Sequence, residues 1–181
     1  PHWLKLKGVE MSTGSLGQGL GIAVGLALAA KLNNQNHKVY AITGDGEWNE
    51  GSMWEAALSA SHHNLDNLIV IVDRNYLQID GGTEEVMKLG KMEKKLTEFG
   101  FKVYKMDGHN IGEIVKVLDK SKKTKAKPTA IIAKTIKGKG VSFMENNASW
   151  HGVAPDDAQL DKALAELKLT KTIDVLKLKN K

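Results

Sequence analysis

Gly44-Asp45-Gly46 and, thirty positions after the aspartate, Asn75 are the residues whose types and spacing point most directly to chemistry. A carboxylate and an amide oxygen are hard ligands suited to Mg²⁺ or Ca²⁺. Such cations often share their coordination shell with the phosphates of a bound molecule. The flanking glycines carry no Cβ, so a diphosphate can approach the backbone closely. A bare Gly-Asp-Gly also serves ordinary turns, so its setting decides. Residues 38–43 read as a buried strand running into Gly44, and residues 68–72 as a second strand running into Asp73-Arg74-Asn75. Asp45 and Asn75 therefore fall at the carboxyl ends of two strands separated by one helix, where open parallel sheets collect ligands.

The elements around this pair alternate. After an irregular start over residues 1–14, the pattern predicts a helix over 17–31 with Gly17, Gly21 and Gly25 on one face. That face invites another backbone. A helix is expected over 52–63, a loop over 75–82, and short helical segments over 84–89 and 92–99 broken at Gly90. A strand follows at 101–106, then a helix at 111–121 capped by Asn110. A strand at 128–135 and a long glycine-bearing loop at 138–152 precede a final helix over 155–167. Pro155 is expected in its first turn, with Asp156 and Asp157 near its positive end. Alternating strands and helices predict an α/β fold, a parallel sheet with helices on both faces.

Composition narrows the function classes. At 181 residues the chain is long enough for one sizeable domain, and 41% hydrophobic with 26% charged residues is ordinary for a globular protein. With no cysteine, disulfides and thiolate metal sites are excluded. This fits a cytoplasmic setting. The net charge of +5 comes mainly from lysines at 120–127 and 168–181, read as solvated surface. No aromatic residues interleave with them as base stacking requires, so a nucleic-acid partner is not expected. No apolar run is long enough for a membrane span. His62 and His63 are adjacent and diverge on a helix, which predicts surface. His109 sits at a strand-to-helix turn and is expected to be structural. Trp48 and Trp54 are expected to pack against a core or an interface.

Three motifs, in order, carry a family resemblance: Gly14-Ser15-Leu16-Gly17-Gln18-Gly19, Gly44-Asp45-Gly46-Glu47-Trp48-Asn49-Glu50-Gly51 with Asn75, and Ser149-Trp150-His151-Gly152. Together they resemble the diphosphate-binding half of a transketolase, the N-terminal subunit where the enzyme is split over two chains. The match covers most of residues 8–155. The resemblance implies ketol transfer between sugar phosphates on thiamine diphosphate, with Mg²⁺ or Ca²⁺ as the metal. It implies that Asp45, the Asn75 side chain and the Leu77 carbonyl hold the metal. It places Gly44 and Gly46 against the diphosphate, and Gly14, Leu16 and Ile79 against the cofactor. For Leu16 and Ile79 the plain alternative is core. His151 would reach the diphosphate and the reacting substrate, since an imidazole can donate to a phosphate oxygen and move protons near neutral pH. Glu50 and Glu55 would join a carboxylate network at a subunit interface.

The resemblance is partial. Pro1 aligns with the proline of a family Gly-His-Pro whose histidine is not in this chain, and the first residue is not Met. The expectation is a single diphosphate-binding domain over 1–181 that lacks its N-terminal part and is a piece of something longer. The pyrimidine-binding domain, which in the family supplies the glutamate that activates the cofactor ring, is expected to lie outside residues 1–181. Activity would then need the C-terminal subunit or half, in a heterotetramer or a dimer of halves. A deoxyxylulose-phosphate synthase shares the Gly-Asp-Gly architecture and would differ by decarboxylating pyruvate. A non-catalytic cofactor-binding or assembly module is the reading outside enzymes.

Overall fold

The computed structural model describes residues 2–168. Pro1 and residues 169–181, with most of the lysine-rich tail, lie outside the described residues. The chain runs α1 (Gln18–Leu32), β1 (Val39–Gly44), α2 (Gly51–His62), β2 (Leu68–Arg74), a small hairpin β3 (Leu77–Gln78) and β4 (Gly81–Gly82), α3 (Thr83–Val86), α4 (Met92–Glu98), β5 (Lys102–Asp107), α5 (Ile111–Ser121), β6 (Thr129–Lys134) and α6 (Asp157–Glu166). Single 3-10 turns occupy Gly46–Asn49 and Ala148–His151.

The four long strands form one parallel sheet in the order β1-β2-β6-β5. The chain steps from β1 to β2 to β5 in one direction, then returns to insert β6 between β2 and β5. Crossovers between parallel strands are right-handed, so reversing the step sends the connecting helix to the opposite face. Helices α1, α2 and α4 cover one face, where Leu20, Met53, Trp48 and Leu96 pack on Leu68, Val70 and Val72. On the other face α5 brings Val117, Ile114 and Leu118 against Ile69, Ile131 and Ala133. That single helix does not reach β1. Tyr40 and Ile42 consequently stay exposed on that face. β2 is buried on both faces and reads as an unbroken apolar run from Leu68 to Val72, as a central parallel strand should.

Several expected boundaries shift, each for a local reason. The first helix begins at Gln18, because Gly17 precedes it in the left-handed region at φ 81°. A Cβ there would meet the Ser52 hydroxyl, which donates to the Gly17 carbonyl at 3.1 Å. Gly21 and Gly25 face open space, with no atom near their missing Cβ positions among the described residues. The 75–82 loop contains the β3–β4 hairpin, and a 3-10 turn over Gly46–Asn49 joins β1 to α2. Helix 84–89 reduces to the one turn of α3, after which Leu89 is buried as an anchor. The last helix starts after Pro155, not on it. Asp156 is its N-cap, in a reciprocal capping box with Gln159. Asn110 caps α5 as expected, accepting from the Glu113 N–H at 3.0 Å.

Candidate functional site

Asp45 follows β1 directly, and its backbone N–H donates to the Asp73 carbonyl on the neighbouring strand end. The side chain is 1% exposed. Its Oδ1 accepts from the Gly46 N–H at 2.8 Å, and its Oδ2 accepts from the Tyr76 N–H at 2.7 Å and from Arg74 at 3.1 Å. A carboxylate offers about four lone-pair directions, so these three bonds leave one acceptor direction free, on Oδ1. Burial pushes the Asp45 carboxyl above its ordinary range, opposed by the Tyr76 N–H, the Arg74 cation and the Gly46 N–H.

Asn75 begins the turn out of β2. Its amide nitrogen donates to Asp73 Oδ1 at 3.3 Å and its amide oxygen accepts from the Leu77 N–H at 2.9 Å. Asp73 also accepts from the Thr135 hydroxyl. Because Asp73 can only accept, it sets which end of the Asn75 amide is nitrogen. Tyr76 follows at φ 65°, a left-handed conformation uncommon outside glycine. It aims its N–H at Asp45 while its ring lies 4.1 Å from the Arg74 guanidinium. The hairpin then turns Leu77 and Gln78 back beside the Ala148–His151 turn.

Trp48, with no exposed surface, anchors the 3-10 turn after Asp45 by donating to the Thr43 hydroxyl at 3.0 Å. Trp54 packs edge-on against it at 5.1 Å. Both tryptophans thus belong to the core and hold the loop that carries Asp45. The flanking glycines differ. Gly44 faces open space at the strand end, as close approach of a ligand needs, whereas a Cβ on Gly46 would come within 2.9 Å of Gln78. Packing therefore accounts for Gly46 independently of any ligand.

Leu16 is 55% and Ile79 67% exposed, so neither is a core residue. Gly14 is exposed and open. The segment ahead of α1 is tied to the site by Glu47, a residue the motif reading passed over. Its carboxylate accepts from the Gly17 N–H at 2.9 Å and the Gly44 N–H at 3.2 Å. Its signal was its place directly after Gly-Asp-Gly.

His151 is exposed on its 3-10 turn, with Nδ1 3.4 Å from the Lys137 ammonium. Lys137 was also missed, although Lys137-Gly138-Lys139-Gly140 opens the loop. The Lys137 ammonium and the His151 imidazole side by side offer donors suited to phosphate oxygens. Trp150 fixes this turn by donating to the Phe143 carbonyl at 2.9 Å. Glu50 and Glu55 lie exposed on the first turns of α2 without an ion-pair partner among the described residues. His62 and His63 are exposed, as expected. His109 is structural: its Nε2 accepts from the Ile136 N–H at 2.8 Å, pinning the β5–α5 turn to the end of β6.

Among the described residues, no three His, Cys, Asp or Glu side chains come together as a metal cage. The Asp45 carboxylate and the Asn75 amide oxygen, at the ends of two neighbouring strands, are donors of the kind that Mg²⁺ takes together with phosphates and water. The residues present therefore fit a metal-bound diphosphate.

Comparison with known proteins bears on the family and the fold. Residues 1–174 match the family described as "Transketolase, thiamine diphosphate binding domain". The chain is 44% identical over 164 residues, 91% of its length, to an apulose-4-phosphate transketolase subunit of Phocaeicola vulgatus. It is also 44% identical over 161 residues, 89% of its length, to a 6-deoxy-6-sulfo-D-fructose transketolase subunit of a Clostridium species. It spans 58% of each of those relatives. The crystal structure of a Campylobacter jejuni transketolase superposes with a TM-score of 0.84 at 37% identity, covering 90% of this chain and 26% of that one. The chain belongs to the transketolase thiamine-diphosphate-binding domain family.

Proposed function

We propose that this chain is the diphosphate-binding subunit or half of a transketolase that transfers a two-carbon ketol unit between sugar phosphates, active only with a partner that supplies the pyrimidine-binding domain. The observation that carries the reading is Asp45: a buried carboxylate at a strand end, with one acceptor direction left free and its other oxygen held by the N–H of Tyr76, the residue that follows Asn75. Relatives that are themselves named as single subunits of a transketolase support the division over two chains.

Asp45, Asn75 and the Leu77 carbonyl would hold Mg²⁺ (Ca²⁺ being the alternative hard cation). Gly44 and Gly46 would lie against the diphosphate, and Gly14, Leu16 and Ile79 against the rest of the cofactor. Bound thiamine diphosphate supplies the carbon nucleophile that carries the transferred unit. His151 would donate to a diphosphate oxygen and exchange a proton with the substrate hydroxyl at the reacting centre, and Lys137 would add a cation beside it. Glu50 and Glu55, exposed and unpaired among the described residues, would meet the partner across the interface.

Calorimetric titration of thiamine diphosphate with Mg²⁺ tests this, using the chain with and without a pyrimidine-domain partner and Asp45→Ala as control. Saturable, metal-dependent binding lost in the variant is expected, with sugar-phosphate product only in the complete complex. No binding in a demonstrated complex overturns the reading. Carbon dioxide release from pyruvate would point to a synthase instead.

A further inference from the structure

Arg74 ends β2 and is 4% exposed, a position where a cation persists only if its partners are fixed. One guanidinium nitrogen, Nη1, donates to Asp45 Oδ2 at 3.1 Å and to the Thr83 hydroxyl at 2.7 Å. The other, Nη2, donates to Glu84 Oε1 at 2.6 Å. Glu84 in turn accepts from the Gly90 N–H through both oxygens, at 3.2 and 3.0 Å. The guanidinium thus ties the end of β1 to α3 and the segment leading to α4.

We propose that Arg74 is a positioning residue that presents Asp45 to the metal through Oδ1 alone and so favours a small octahedral cation over a larger one. The inference rests on the functional reading above. Arg74 and the Tyr76 N–H together take up both acceptor directions of Oδ2, while the Gly46 N–H takes one of Oδ1. A carboxylate held this way cannot chelate through two oxygens. Ca²⁺ accepts bidentate carboxylates in shells of six to eight oxygens, whereas Mg²⁺ holds six at fixed geometry. Lysine keeps the charge but lacks the fork. It cannot engage Asp45, Thr83 and Glu84 together from this position.

The test uses the chain complexed with its pyrimidine-domain partner and saturating thiamine diphosphate, titrating Mg²⁺ and Ca²⁺ separately by calorimetry. Arg74→Lys should weaken Mg²⁺ by about ten-fold, within the range for supporting residues of metal ligands. Ca²⁺ should weaken less, so the Mg²⁺-to-Ca²⁺ preference falls by at least about three-fold, since Oδ2 becomes available for chelation. Glu84→Gln, on a side chain 35% exposed, should shift the preference the same way by less, and it carries the test if Arg74→Lys does not fold. A variant that binds both metals like the wild type, or weakens both equally, overturns the proposal, because a merely structural defect does not change the ratio. A wild-type complex that binds neither metal with the cofactor overturns the functional reading itself and this inference with it.

Discussion

Replacing Asp45 by asparagine probes fold and site together. The substitution preserves shape but leaves one acceptor atom where there were two. With the amide oxygen at the Oδ2 position, the Tyr76 N–H and Arg74 keep an acceptor while the new NH₂ group faces the Gly46 N–H, now 2.8 Å from a donor. The opposite flip sets the NH₂ against both Tyr76 and Arg74, which is worse. Arg74 also loses a charged partner but retains Glu84 at 2.6 Å, so the loss stays below that of a fully orphaned buried cation. A net destabilisation of about 2–3 kcal/mol follows from one lost buried hydrogen bond and a half-broken ion pair. In a chain of this size that lowers Tm by about 5–10 °C. Urea denaturation reads the first effect. Repeating it with thiamine diphosphate and Mg²⁺ reads the second. Ligand at a hundred times its Kd adds about 2.7 kcal/mol to the wild type, and little to a variant whose anionic ligand is gone. An Asp45→Asn variant that denatures at the wild-type urea concentration refutes the hydrogen-bond reasoning. Where the wild type is stabilised by the ligands, an equal shift in the variant refutes Asp45 as a metal ligand.

Three further outcomes are expected. The Arg74 guanidinium and the Gly90 N–H hold the Glu84 carboxyl below its ordinary range. A lowered folded-state pKa stabilises above the unfolded value of about 4.3 and loses that stability as pH falls through the folded value, so Glu84→Gln should flatten the acid side of the stability profile below about pH 4.5 and leave its neutral slope alone. Gly138 sits at φ 72°, where a Cβ would come within 2.5 Å of the Met144 carbonyl oxygen; Gly138→Ala should cost about 2–4 kcal/mol and strip hydrogen-exchange protection from residues 137–147, and unchanged protection there would contradict the clash. His151→Gln, on an exposed turn, should change stability by less than about 0.5 kcal/mol yet lower kcat for ketol transfer by about 10²–10⁴-fold. An unaltered kcat would remove His151 from the reaction.

Much of this architecture was legible in the residues because it is governed locally. The apolar run at 68–72, the expected strand at 38–43 and the Asn110 cap depend on side-chain period and near-neighbour hydrogen bonds. They appear within a residue or two of the expected boundaries. The hairpin at 77–82 was not legible: its four strand residues are too few to show alternation, and two are glycines. Pro155 was misplaced because proline is acceptable both in the first turn and just before the cap; the Asp156–Gln159 capping box decides for the latter.

The same division holds at the site. Gly-Asp-Gly, Asn75 and Trp-His-Gly could be picked out because their residue types limit the chemistry they can support. Their order along the chain indicated a family. The sequence alone thus determined the parallel α/β class and the oxygen chemistry of Asp45 and Asn75. Only the tertiary structure decided how those groups are held. Glu47 bridges Gly17 and Gly44, Asp73 orients Asn75, Arg74 occupies one oxygen of Asp45, and Lys137 stands beside His151. Two of these pairs, Gly17–Glu47 and Asp45–Arg74, lie about thirty positions apart in the chain. The second meets because β1 and β2 end at the same level of one sheet, Gly44 opposite Asp73. That register is a property of the packed core, and no local spacing encodes it.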